Sequence, residues 1–164
     1  MRSTYSLSSR EAAGLTQGAF YAHFKSKEAL ATQAHRYLQQ GSRDRFMEAR
    51  RVSGDDLKAY VDLYVSEANR DGSTGCPMAA YAGEVCRQGR EIQELFTEGL
   101  EGMINALEAT LPESLTADEA RRKAITLAVT RVGAVTLARV SRHSPALSDG
   151  ILSSVRQELL GEGS

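Results

Sequence analysis

An all-α fold is predicted by three features of this chain. Ala, Leu, Glu, Arg and Gln dominate the composition, and proline occurs only three times, which favours helix throughout. No segment alternates apolar and polar residues with the period of two that a half-buried strand requires. Apolar residues recur three and four apart instead, in runs that stop at Gly, Pro and Ser clusters. The predicted helices cover residues 8–13, 17–23, 27–50, 55–70, 77–89, 91–110, 117–143 and 148–160.

The first two are short and lie between tight turns. Thr16 can cap the second, because its hydroxyl accepts from a free backbone N–H two or three residues on. Phe20 and Phe24 are four apart and share the inward face. Gln17, Tyr21 and Lys25 fall on another face with polar tips. Ser26 can cap the next helix, with Lys27 in its first turn. A cation there opposes the helix dipole but fits a phosphate held at the helix N-terminus. A small helix between two turns, aromatic inward and polar outward, is what a helix-turn-helix lays into a DNA major groove.

This segment resembles the DNA-binding region of the TetR family of bacterial transcriptional regulators over about residues 7–38. The matching string is Gly18, Tyr21, His23 and Phe24, followed by Ser26, Lys27, Glu28 and Leu30. The resemblance implies a recognition helix ending at Phe24 and a backbone-contacting lysine at Lys27. It also implies a further helix of about four turns ahead of the motif. Residues 1–7 are too few for one, so the head reads as incomplete, and a small domain lacking a packing partner loses stability.

The expected organisation is a partial helix-turn-helix DNA-binding domain over residues 1–45 and a ligand-sensing and dimerisation domain over 46–164. Charge is divided the same way. Through residue 52 there are nine Lys/Arg against four Asp/Glu, and the remainder holds eleven against seventeen. A basic third on an acidic body suits a module that meets phosphate at one end. The DNA-contacting candidates are Thr16, Gln17, Gly18, Tyr21, His23, Lys25 and Lys27. A double-stranded operator is the expected partner.

In the body, Ser53-Gly54-Asp55 separates two helices, Asp71-Gly72-Ser73-Thr74-Gly75 forms a loop, and Leu111-Pro112-Glu113 and Ser144-Pro145 end two more. Thr116 and Glu119 make a capping box, and Ser148 is placed to cap the last helix. Residues 124–140 are apolar over most of the helix circumference, including Ile125, Leu127, Val129, Val135, Leu137 and Val140. Such a helix needs cover on both sides. Ile151, Leu152, Val155, Leu159 and Leu160 give the last helix a broad apolar face. Either both helices line the monomer core, or the helices at about 117–143 and 148–160 form an intermolecular four-helix bundle. The resemblance implies the second, a homodimer, and a two-fold also suits a palindromic operator.

Tyr60, Tyr64, Met78, Tyr81, Phe96, Leu100, Met103 and Ile104 are candidates for an apolar effector pocket or plain core; the pocket itself is implied by the resemblance. Cys76 precedes Pro77, and proline favours the first helical position. A thiol at the N-cap feels the positive end of the helix dipole, which favours thiolate. The other reading of Cys76 is a small buried apolar residue. Some TetR-type regulators that sense electrophiles or oxidants have a similar Gly-Cys, with a pair like Glu84-Val85. Cys86 lies ten residues on, roughly 15 Å along a helix, beyond the reach of about 7 Å that a disulfide needs.

His23, His35 and His143 are not at metal-ligand spacing, and no phosphate loop or catalytic constellation can be placed. No metal, cofactor or enzymatic activity is expected. Without an apolar run long enough for a bilayer or a signal-peptide pattern, a soluble cytoplasmic protein is expected. The function read here is a DNA-binding regulator, a repressor released by a small molecule, electrophile or oxidant. The alternative is a helical dimerisation or ligand-binding module that no longer binds DNA.

Overall fold

The computed structural model describes residues 27–72 and 76–162. Among the described residues there are seven helices and no strand. They are α1 (Lys27–Ser53), α2 (Asp56–Tyr64), α3 (Glu67–Asp71), α4 (Pro77–Val85), α5 (Arg90–Glu108), α6 (Ala117–Val140) and α7 (Pro145–Leu160). The helices expected at 8–13 and 17–23, the caps Thr16 and Ser26, and residues 73–75 lie outside the described residues.

α6 is the centre of the body. α7, α5, α3, α4 and α2 all pack on it, while α1 packs on α2 and α5. Two apolar clusters follow from this. One joins Val61 and Val65 to Ala134, Val135, Ala138 and Leu152. The other joins Ile104, Leu107 and Leu111 to Ala124, Leu127 and Ala128. Leu57 and Leu159 touch both clusters and make them one continuous core.

Local chemistry fixes most helix ends. Asp55 caps α2 by accepting from the Lys58 N–H at 2.8 Å. Gly54 precedes it with φ of 69°, a left-handed conformation that glycine adopts without strain. At α6 the Thr116 Oγ accepts from the Glu119 N–H, and the Glu119 carboxylate accepts from the Thr116 N–H at 2.9 Å. The Thr116 hydroxyl also donates to that carboxylate, which holds Glu119 below the usual carboxylate range. Thr116→Ala removes the cap, and a loss of about 1 kcal/mol is expected in urea unfolding.

The structure moves several expected boundaries, and the helices read over 27–50 and 117–143 end at Ser53 and Val140. The helix read over 55–70 is broken at Val65 and Ser66. Ser66 caps α3 by accepting from the Asn69 N–H, and the Asn69 amide donates to the Tyr64 carbonyl that the break frees, at 2.7 Å. From α6, Arg139 donates to the carbonyls of Asn69 and Arg70, and Arg142 donates to the carbonyl of Arg70. These cations answer the carbonyl end of a helix only five residues long. The helix read over 77–89 stops at Val85, and Gly89 opens α5.

The last helix begins at Pro145 rather than at 148, because proline occupies its first turn. Ser148 is therefore no cap. It is buried, its hydroxyl donates to the Ala138 carbonyl at 2.8 Å, and it accepts from Arg70 at 2.9 Å.

α6 divides into two faces. Ala124, Leu127, Ala128, Ala134, Val135 and Ala138 are buried, whereas Ile125, Val129, Leu137 and Val140 are exposed. The broad apolar face expected of α7 turns into its own chain. Leu152 is buried, and Ile151, Val155, Leu159 and Leu160 pack against the core. Leu147, at the α7 N-terminus, remains exposed.

Candidate functional site

Between α1, α2, α4, α5 and α6 lies a cavity of about 880 Å³. Helical periodicity along α5 leaves the space. Gly99, Gly102, Ala106 and Ala109, three and four apart, line it with almost no side chain. A Cβ added at Gly102 would meet nothing within 4 Å.

Another part of the lining is aromatic and cationic. Tyr60 and Tyr64 lie one turn apart on α2, so both face the same way. Arg131 of α6 sets its guanidinium 4.2 Å from the centroid of each ring. Arg131 is 1 % exposed, and its Nε and Nη1 have no hydrogen-bond partner among the described residues. An arginine stays charged in a protein, so the tyrosine faces supply its main stabilisation. Burial pushes the Arg131 pKa down from its ordinary value, with Tyr60, Tyr64 and Cys76 acting the other way. Burial likewise pushes the Tyr64 phenol well above the usual tyrosine range. Its hydroxyl lies beside the Cys76 thiol without meeting hydrogen-bond geometry and has no partner.

The cavity brings together Cys76, Tyr60, Tyr64, Met78 and Met103 of the sequence candidates. Cys76 stands at the N-cap of α4, its side chain making no capping bond, and it is buried. The residue borders the cavity. Cys86 sits at the other end of α4, exposed, and both thiols are free. Tyr81 is half exposed on α4 and off the cavity wall. Phe96 is half-buried and also off the wall, Leu100 is exposed, and Ile104 belongs to the core.

Sequence reasoning missed Arg131, which reads as a polar interruption of an apolar helix. It also missed Phe46 of α1. That ring meets Tyr60 with centroids 4.0 Å apart, placing α1 in the cavity wall. Of the DNA-contacting candidates, Thr16, Gln17, Gly18, Tyr21, His23 and Lys25 lie outside the described residues, and Lys27 is the first residue of α1.

A helical body with a cavity among its helices, walled on one side by the long helix α1, defines an all-α fold class. Residues 54–150 match the transcriptional regulator LmrA/YxaF-like C-terminal domain. Residues 10–34 match the bacterial regulatory proteins of the tetR family. The crystal structure of E. coli NemR in its reduced form is similar in fold, with a TM-score of 0.71 and 23 % identity, over 91 % of this chain and 83 % of that one. No curated protein matches the sequence.

The chain belongs to the TetR family of bacterial regulatory proteins, and it is a DNA-binding transcriptional regulator. A module without DNA binding is not favoured. No described helix is long and apolar enough to cross a membrane.

Proposed function

We propose that the protein is a dimeric one-component repressor whose operator binding is weakened by a small molecule in the α1–α6 cavity. Residues 1–45 form the DNA-binding head and 46–164 the sensing and dimerising body. α1 runs across that boundary. One observation carries the reading: Phe46, on the helix that leaves the DNA-binding motif, rests against Tyr60 in the cavity wall. A ligand that moves Tyr60 moves α1. It shifts the equilibrium only insofar as it prefers the spacing of heads that does not fit DNA.

Gln17 and Tyr21 are the base-edge candidates in this reading. Thr16, Gly18, His23, Lys25 and Lys27 are the other DNA-contacting candidates, with Thr16, Tyr21 and Lys27 assigned to phosphate contacts. Cys76 gives the same cavity a thiol through which an electrophile or oxidant would act, supported by its place on the wall.

The test begins with duplexes selected from a random pool by the purified protein. Lys27→Ala is expected to weaken all selected duplexes about equally and to reduce the salt slope by about 1, as for one phosphate contact. Gln17→Ala is expected to relax base preference instead. Failure to enrich any sequence from the pool would overturn the reading. Phe46→Ala is expected to keep operator affinity while abolishing release by cavity ligands.

A further inference from the structure

We infer that the cavity is built for a small organic anion, an apolar body carrying one carboxylate or sulfonate that seats on Arg131. The inference rests on the ligand-sensing reading above and names the chemistry of that ligand. Three buried side-chain polar atoms have no partner among the described residues: Arg131 Nε, Arg131 Nη1 and Tyr64 Oη. All three belong to one wall of this cavity.

Of the three carboxylates lining the cavity, two are paired with other cations and the third faces solvent. Asp56 pairs with Arg50 at 2.6 Å, and Asp62 pairs with Arg156 at 2.5 Å and with Lys58 at 3.2 Å. Glu98 is exposed. The groups that oppose the effect of burial on Arg131 are Tyr60, Tyr64 and Cys76, with no carboxylate among them.

A buried charge without a counter-ion is strongly unfavourable, and two tyrosine faces offset only part of that. Stacked rings occupy the faces of a guanidinium and leave its in-plane N–H groups for an acceptor, the geometry that carboxylate and sulfonate match. A cation in the cavity would meet repulsion, and a neutral molecule would leave the guanidinium unanswered. The apolar body has its place in the same cavity along α5, where the lining is Gly102, Ala106 and Met103. Arg131 is 1 % exposed, so an anion that seats on its in-plane N–H groups presses against the two rings beside it, and Tyr60 is the ring that touches Phe46.

Two dyes with the same aromatic body test this: the anion 1-anilinonaphthalene-8-sulfonate and its neutral parent N-phenyl-1-naphthylamine. In fluorescence titrations the anion is expected to bind wild type, and Arg131→Met to weaken it about 30-fold, as for truncating one partner of a buried charge pair. The neutral dye should bind both proteins equally. Arg131→Met is also expected to melt above wild type, since it removes an unpaired buried charge. A second arm needs no variant: decanoate should displace bound neutral dye from wild type, and 1-decanol at equal concentration should not. Equal binding of the anion by wild type and Arg131→Met, or equal displacement by decanol, would overturn the inference.

Operator release is measured separately. Anion binding through Arg131 that leaves operator affinity unchanged keeps the anion site and removes the sensing reading. Release by the neutral dye alone, in wild type and Arg131→Met alike, keeps the sensing reading and removes the anion site.

Discussion

Leu137→Asp is expected to convert the protein from a dimer to a monomer of 17.8 kDa in sedimentation velocity. Leu137 is 57 % exposed and Val129 65 % exposed on the outer face of α6. With Ile125 and Val140 they form an apolar stripe on α6 that the described residues leave uncovered, and Leu147 at the start of α7 is exposed as well. Gly133, in the middle of the stripe, has nothing within 4 Å of where a Cβ would stand, so a second backbone can approach closely. In a two-fold interface each residue is presented twice. One substitution therefore buries two carboxylates in an apolar contact, and each lacks a partner. A loss of about 4 kcal/mol per dimer, roughly 1,000-fold in dissociation constant, is the expected size. Operator affinity should fall with it, because two half-sites must be gripped together. Wild-type dimer mass retained in Leu137→Asp and Val129→Asp alike would place the two-fold elsewhere.

Leu107→Ala is expected to cost about 3 kcal/mol in equilibrium unfolding. Leu107 is 0 % exposed and packs among Ile104, Leu111, Ala124, Leu127 and Ala128. Three of those neighbours are on α6 between Ala124 and Ala128, where the side chains are small or fixed on a helix that packs on most of the body. They have little freedom to collapse into the space, so the cavity term adds to the lost transfer energy. For a chain of this size the melting temperature should fall by roughly 6–12 °C. A fall under 2 °C would mean that α5 and α6 are not packed as described.

Helix chemistry that acts within four residues was legible in the chain. Thr116 with Glu119, Cys76 before Pro77, and the breaks at Gly54 and Pro112 are local devices, and the structure keeps them. What escaped depends on distant partners. The break at Ser66 persists because Arg139, about seventy residues on, docks to the carbonyls it exposes. Ser148 looked like a cap because its partners, Ala138 and Arg70, lie on other elements.

The candidate site divides the same way. Tyr60 and Tyr64 were visible as a pair one turn apart. Arg131 was not, since an arginine in a helix ordinarily marks a solvated face. Only the packing of α6 against α2 turns it inward. The small-residue row from Gly99 to Ala109 was a readable sign of empty space along α5, but small residues also mark tight packing, and the sequence does not distinguish the two.

Gly54 has a mechanical consequence. It joins the body to α1 in a left-handed conformation, and beyond it the 27 residues of that helix extend about 40 Å. Pivoted at that joint, a tilt of about 5° sweeps the far tip through roughly 3 Å, given the rise of a helix per residue. In the reading proposed above Phe46 pushes near the fulcrum, so a ring displaced by a fraction of an ångström is amplified several-fold where the lever arm ends, at Lys27.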